Sequence, residues 1–262
     1  MTAPEGSGPT RLAGKVILVA GAGGIGAGLA ERYAAEGAVV VVGDIDPDSA
    51  GQVAEEITSR GQAATAIHLD GADEESARSA VATCVEQHGG LDGIHVNFAS
   101  FADGDMALGV VELPLDVFDE VQRVNSRGFF LCTRAAVPAL LDRGGGSIVY
   151  TSSAAAHAAG GVQVAYSMSK AAGHALMRHV AARYGPQGIR ANSIAPAMTL
   201  HPRLEAALPA AFVDMARSAA AITSRVGSPE DIAALGALLM SEEGSYITGQ
   251  VLCVDGGTTM RP

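Results

Sequence analysis

The stretch that decides the fold is Val16-Ile17-Leu18-Val19-Ala20-Gly21-Ala22-Gly23-Gly24-Ile25-Gly26, a short apolar run that passes directly into a cluster of glycines. Val16 to Ala20 has strand length, and Ile25 to Glu36 reads as a helix, so the stretch is a strand, a turn and a helix. Gly21, Gly23 and Gly26 form a G-x-G-x-x-G run at that turn. Glycines there let backbone amides approach a pyrophosphate and let helix and strand pack closely, while the helix N-terminus favours negative charge. Such a run alone is weak evidence. Its setting, and an acid at the end of the next strand, point to a dinucleotide site.

The same alternation continues along the chain. Val39 to Val42 is an apolar strand ending at Asp44. Asp46-Pro47 supplies a helix cap with proline at the first helical position, and that helix is expected to run to about Arg60. Ala63 to Leu69 is a third strand, and Asp73 caps a stretch with helical spacing at Ala77, Ala80, Val81, Cys84 and Val85. Ile94 to Asn97 is a fourth strand. A helix from about Leu115 to Leu141 leads to a strand at Ser147 to Thr151, and one from about Val162 to Tyr184 leads to a strand at Ala191 to Ala195. Periodicity weakens from Pro196 to Ser224, then resumes as a helix at Pro229 to Met240 and a last strand at Val251 to Val254.

Strands apolar throughout belong to parallel sheets covered on both faces. The expectation is a three-layer, doubly wound α/β sheet of Rossmann type, formed by one domain over residues 11–262 after a loose tail at 1–10. Ala197 to Ser224 is the expected substrate lid.

Bulk properties narrow the partners. The 262 residues are 48% hydrophobic and include 33 glycines and no tryptophan, which suits packed β/α turns. With 17 basic against 28 acidic residues the formal charge is -11, which repels a polyanion, so nucleic acid is not expected. Cys84, Cys132 and Cys253 are far apart, form no metal spacing and read as core thiols. The expectations are no metal, no membrane span, no signal peptide and a cytoplasmic protein.

The acid at the end of the second strand, Asp44, is placed to accept hydrogen bonds from both hydroxyls of an adenosine ribose and to repel a 2'-phosphate, which favours NAD over NADP. Tyr166 and Lys170 lie four positions apart on one helix face. A phenol has a pKa of about 10 and is a poor base unless a neighbouring ammonium and an oxidised nicotinamide favour its anion. Ser153 follows the strand Ser147 to Ser152 at the carboxyl edge of the sheet, where its hydroxyl can polarise a carbonyl or simply satisfy a turn. Asn125 sits in an apolar helical run and reads equally as a functional or a buried structural amide.

With these residues in hand, the chain resembles the short-chain dehydrogenase/reductase family from about Leu12 to Thr258. The resemblance rests on Leu12-Ala13-Gly14-Lys15, Asn97, Asn125, Ser153, Tyr166-Ser167-Met168-Ser169-Lys170, Ile189-Arg190-Ala191-Asn192, Pro196, Arg225 to Glu230 and Val254-Asp255-Gly256-Gly257, in the family's order. It implies an Asn-Ser-Tyr-Lys tetrad: Tyr166 as acid/base, Lys170 lowering its pKa and holding the ribose, Ser153 orienting substrate, and Asn125 holding a relay water.

The resemblance further implies that Asp70 lies by the adenine and Thr199 by the carboxamide, and that Gly21, Gly23, Ile25, Gly26, Asp44, Asn97, Ala99 and Pro196 also line the cofactor. The Tyr-to-Lys spacing is shorter than in the family's enoyl reductases and favours interconversion of a secondary alcohol and a ketone. A homotetramer is implied by the same analogy.

Four departures from the family pattern stand out. The glycine turn is one residue short and lacks a threonine. Asn97-Phe98-Ala99-Ser100 replaces Asn-Asn-Ala-Gly, so that Phe98 is expected to reshape the wall beside the nicotinamide. Ala197 replaces a glycine, and His201 stands at a cofactor-binding threonine. The shortened turn and Phe98 motivate a rival class, a non-catalytic NAD-binding sensor or partner subunit. The pocket is expected to be lined by Ser100 to Gly109, Ala154 to Val162 and Ala197 to Ser224, accepting a mostly apolar group. His157 and His201 read as solvated loop histidines that could also meet a polar substituent.

Overall fold

The structure is a computed structural model that describes residues 10–101, 108–158 and 163–260. Most of the expected tail, 1–9, and parts of two expected pocket segments, 102–107 and 159–162, lie outside the described residues, as do 261–262. The strands are β1 (Val16–Ala20), β2 (Val39–Asp44), β3 (Ala64–His68), β4 (Gly93–Val96), β5 (Gly146–Thr151), β6 (Ile189–Pro196) and β7 (Val251–Val254). They form one sheet in the order β3-β2-β1-β4-β5-β6-β7, and every pairing is parallel.

The helices are α1 (Gly24–Ala35), α2 (Pro47–Ser59), α3 (Glu74–His88), α4 (Leu115–Val121), α5 (Gly128–Asp142), α6 (Val164–Tyr184), α7 (Pro202–Ala207), α8 (Ala210–Ser218) and α9 (Pro229–Met240). The alternation of side chains along β1 generates the three layers. Val16, Leu18 and Ala20 pack with Phe129, Cys132 and Met177 in one core, while Ile17 and Val19 pack with Leu29, Tyr33 and Ile232 in the other. Burial pushes the Cys84 and Cys132 thiols up to about 12, as expected of inert core residues. No described helix is long and apolar enough to cross a membrane.

Local chemistry explains several boundaries. Asp46 accepts from the Asp48 amide at the start of α2, whose first residue is Pro47, and Asp73 accepts from the Ser76 amide at the start of α3. Strand β2 begins where Val39 N–H donates to Lys15 O and ends at Asp44.

Three expectations need correction. The helix expected from Leu115 to Leu141 is interrupted by a π-helical segment, Gln122–Arg127, between α4 and α5; with Val124 its only apolar residue, the segment has no apolar stripe from which a wider turn could be read. The stretch 197–224 is not irregular throughout, because it carries α7 and α8. Finally, β5 ends at Thr151 and β4 at Val96, so Ser152, Ser153 and Asn97 lie just past their strands.

Candidate active site at the carboxyl edge of the sheet

The chain leaves β1 to one side and β4 lies on the other, so the strand order reverses at the β1/β4 junction. Ligands of doubly wound sheets bind at the carboxyl edge of this junction. The glycine turn sits there. Gly21 has φ +106 and a side chain on it would meet the Phe98 amide nitrogen at 2.7 Å, so only glycine fits. A Cβ on Gly26 would collide with the Gly21 carbonyl, whereas one on Gly23 would meet open space.

The shortened turn is closed by its neighbours. Gly21 N–H donates to Gly43 O and Gly26 N–H to Gly23 O. The Asp44 carboxylate accepts from the Ala22 amide at 2.6 Å and the Asp46 amide at 2.9 Å, and Asn97 Nδ2 donates to Gly21 O at 3.2 Å. Asp44 therefore stands beside the glycines, as read from the sequence. Asp70 lies at the end of the neighbouring strand, where its carboxylate accepts from the Ala72 amide. Ile25 occupies the first turn of α1 and packs against the core. The open face at Gly23, the N-terminus of α1 and the two strand-end carboxylates fit a dinucleotide.

Tyr166 and Lys170 lie on one face of α6, both buried. Burial pushes the Tyr166 hydroxyl up to about 12, opposed by a hydrogen bond from Ser153. Burial pulls Lys170 down to about 7. Its ammonium donates to Thr151 O at 2.8 Å and lies 4.7 Å from the Phe129 ring centroid and 5.6 Å from that of Tyr166. Ser153 Oγ also accepts from the Ala155 amide, so the turn role and the site role coexist in one side chain.

Asn125 is buried in the π-helical segment. Its Oδ1 accepts from Ser100 N–H at 2.7 Å, while Nδ2 donates to Ser100 O and Ser169 Oγ. This geometry is that of a structural amide tying the loop after β4 to α6, and Oδ1 keeps a second lone pair. Ala99 packs against Tyr166 and Val121. Pro196 closes β6 opposite Val254. Thr199 is buried, bridges to Gly227 and donates its hydroxyl to Ala197 O.

Phe98 departs from expectation. Its ring is partly buried and packs against the core, edge-on to Phe129 with centroids 5.7 Å apart, and occupies space left by Gly71 and Gly128. The two histidines are not simply solvated. His157 stacks on His174 at 4.8 Å, and the His201 ring lies against Gly24, where a Cβ would stand 2.6 Å from Nε2.

Two residues were not singled out in the sequence, although Phe101 lies within the expected pocket segment Ser100 to Gly109. Phe101 stacks on Tyr166 with centroids 4.7 Å apart. Fully buried His95 hydrogen-bonds Thr151, and a histidine inside the apolar run Gly93-Ile94-His95-Val96 was the available signal.

Fold and site together define a Rossmann-type protein of the oxidoreductase class. The family model described as enoyl-(acyl carrier protein) reductase matches residues 19–259. The chain is 38% identical to a probable short-chain type dehydrogenase/reductase of Bradyrhizobium diazoefficiens, over 94% of this chain and 88% of the relative. It is 36% identical to the mitochondrial (-)-isopiperitenol/(-)-carveol dehydrogenase of Mentha piperita, over 96% of each chain. The solved structure of 7α-hydroxysteroid dehydrogenase complexed with NADH and 7-oxo glycochenodeoxycholic acid superposes with a TM-score of 0.87 at 30% identity, covering 98% of each chain. This chain belongs to the short-chain dehydrogenase/reductase family of oxidoreductases, whose members bind a nicotinamide cofactor.

Proposed function

We propose that this protein interconverts a secondary alcohol and a ketone with NAD, using Tyr166 as general acid/base. The observation that carries the proposal is the Tyr166–Ser153 hydrogen bond beside the Lys170 ammonium, at the strand edge next to the glycine turn. When bound, the nicotinamide supplies or takes up the hydride. With its pKa held up by burial, the Tyr166 hydroxyl is protonated at neutral pH and ready to donate to a developing alkoxide. Ser153 holds the same oxygen and favours the phenolate when the proton leaves. Lys170, fixed to Thr151 O and pulled down to about 7 by burial, brings a partly protonated ammonium over the ring. Asn125 holds the loop that carries Ser100, and its remaining lone pair suits a relay water.

NAD is preferred because the Asp44 carboxylate stands at the turn and would repel a 2'-phosphate. The description of the family model names an enoyl reductase, but the four-residue spacing from Tyr166 to Lys170 and the dehydrogenase relatives favour carbonyl chemistry. In the 7α-hydroxysteroid dehydrogenase the ligand is a 7-oxo compound, the ketone expected of an alcohol oxidised at that carbon. The half-exposed Phe101 ring stacked on Tyr166 supplies an apolar wall for the group beside the reacting carbon. Residues 197–224, with α7 and α8, form the lid over it, within one domain from 11 to 262. We read the assembly as a homotetramer in the cytoplasm.

The non-catalytic reading loses one motive, because Phe98 packs against the core. Fluorescence titration with NADH and NADPH, followed by turnover of Tyr166→Phe on an identified alcohol or ketone, tests the proposal. Tight NADH binding, weak NADPH binding and a loss of about 10²-fold or more in turnover are expected. Full turnover by Tyr166→Phe would remove its acid/base role, and failure to bind either cofactor would move the non-catalytic reading ahead.

A further inference from the structure

A line of buried polar side chains crosses the sheet behind the glycine turn. The Tyr33 hydroxyl of α1 is 2.6 Å from His95 Nδ1. His95 Nε2 is 3.0 Å from Thr151 Oγ1, Thr151 Oγ1 donates to Asn97 Oδ1 at 2.9 Å, and Asn97 Nδ2 donates to Gly21 O. His95 is completely buried in β4.

Only one proton arrangement satisfies this line. Asn97 Nδ2 must donate to the Gly21 carbonyl, so Oδ1 is the acceptor facing Thr151. A hydroxyl has one proton, and Thr151 gives it to Asn97; Thr151 Oγ1 must then accept, so His95 carries its proton on Nε2. Neutral His95 leaves Nδ1 as the acceptor for the Tyr33 hydroxyl. Every donor thus points the same way, from α1 to the glycine turn, an arrangement in which neighbouring bonds reinforce one another.

Two further observations connect this line to the site and to the packing. The backbone carbonyl of Thr151 receives the Lys170 ammonium, so one residue links the turn to the Tyr166–Lys170 face. At the far end, a Cβ on Gly236 of α9 would collide with the Tyr33 hydroxyl. Glycine is unfavourable inside a helix, and here it leaves room for the first donor of the line.

We propose that His95 is a positioning residue of the cofactor site, holding Thr151 and Asn97 in a single hydrogen-bonded arrangement that fixes the Gly21 carbonyl and the Lys170 ammonium relative to each other. The proposal rests on the assignment of the glycine turn and Lys170 to nicotinamide dinucleotide binding. It accounts for a turn one residue short keeping a defined shape: the side-chain line braces it from beneath the sheet.

The test compares wild type with His95→Leu, His95→Gln, Thr151→Val and the His95→Leu/Thr151→Val double variant. The first readout is hydrogen–deuterium exchange of peptides covering residues 18–29, measured without cofactor; the second is the NADH dissociation constant. Losing one link is expected to speed turn exchange and raise the NADH Kd by about tenfold. His95→Gln can accept from Tyr33 and donate to Thr151, and is expected to stay within about threefold of wild type.

The double variant should be no worse than the worse single, since both break one line. If His95→Leu does not fold, Thr151→Val against wild type carries the same comparison. Unchanged exchange and Kd in a folded variant with a lower melting temperature, or a glutamine variant no better than leucine, would overturn the proposal and leave His95 a packing residue. If wild type binds no NADH, the cofactor assignment fails separately, while the exchange comparison still decides whether the line holds the turn.

Discussion

Placing a valine at Gly71 should destabilise the protein, and the same valine should be tolerated once Phe98 is truncated. A Cβ on Gly71 would fall inside the van der Waals envelope of Phe98 Cζ and Cε1, and stand 2.9 Å from Cε2. Carbon atoms pack at about 3.5–4.0 Å, so the ring tip must retreat by at least about 1 Å. Toward α5 the ring already occupies the space that a side chain on Gly128 would take. Phe129 closes the same space edge-on.

Overpacking of this kind costs about 1–3 kcal/mol, partly offset by about 0.4–1 kcal/mol from a less flexible unfolded chain. We expect a net loss of about 1–2 kcal/mol for Gly71→Val. Phe98→Ala alone should cost about 3 kcal/mol, the low end for a phenylalanine because the ring is only partly buried. In the double variant the valine fills space vacated by the ring, so the total should fall short of the sum by at least about 1 kcal/mol. Urea unfolding followed by circular dichroism at one fixed protein concentration measures all four corners of the cycle. Additivity within about 0.5 kcal/mol would refute the idea that Gly71 exists to admit Phe98.

Other outcomes follow from the same geometry. Ser153→Ala removes the hydrogen bond that opposes the high Tyr166 pKa, so the acid limb of the pH profile for alcohol oxidation should move to higher pH; an unmoved limb would separate Ser153 from the proton transfer. Burial lowers His95 from 6.5 to about 3, so between those values the unfolded chain binds a proton that the folded chain refuses. The His95 contribution is therefore intact above pH 6.5 and lost as pH falls toward 3, at about 1.4 kcal/mol per unit; urea unfolding of His95→Gln should show a shallower acid slope, and equal slopes would refute this. Asp44→Asn removes the charge and keeps one of the two acceptor oxygens, which can face Ala22 N–H while the bond from the exposed Asp46 N–H is lost; it should narrow the NADH-over-NADPH preference by tenfold or more, about 1.4 kcal/mol, and an unchanged ratio by fluorescence titration would show that Asp44 does not set it.

The central strands β1 and β2 were legible because a parallel sheet is covered on both faces, so Val16–Ala20 and Val39–Val42 read as bare apolar runs. Asp44, Ser153, Tyr166 and Lys170 were legible because each follows from a strand end or a helical spacing, both local features. The π-helical turn at Gln122–Arg127 was not, since its residues are polar apart from Val124 and carry no apolar stripe whose phase could be followed. The helices α7 and α8 were missed for a different reason: both are short, and α8, although it carries Phe212, Val213 and Met215, buries none of its residues, so core packing does not mark it out. Phe98 was misread because its direction is set by Gly71 and Gly128, residues distant in sequence. Asn125 could not be decided in advance, because its partners, Ser100 and Ser169, come together only in the folded chain.

The short turn changes how the site's acids and amides should be understood. Here the Asp44 carboxylate accepts from Ala22 N–H on one side and Asp46 N–H on the other, while Asn97 holds the Gly21 carbonyl from below. The turn is thus braced by two side chains, and one of them is the residue that would choose the cofactor. On the proposed reading scaffold and specificity would coincide in Asp44, so truncation to alanine would weaken both cofactors by opening the turn and could not report on the 2'-phosphate. A change that removes charge while retaining the oxygen that faces Ala22 N–H comes nearer to separating the two effects, because it gives up only the bond from the exposed Asp46 amide. The same logic makes Asn97 and its support from Thr151 and His95 part of the binding site, although only Asn97 stands at the edge where the ligand would lie.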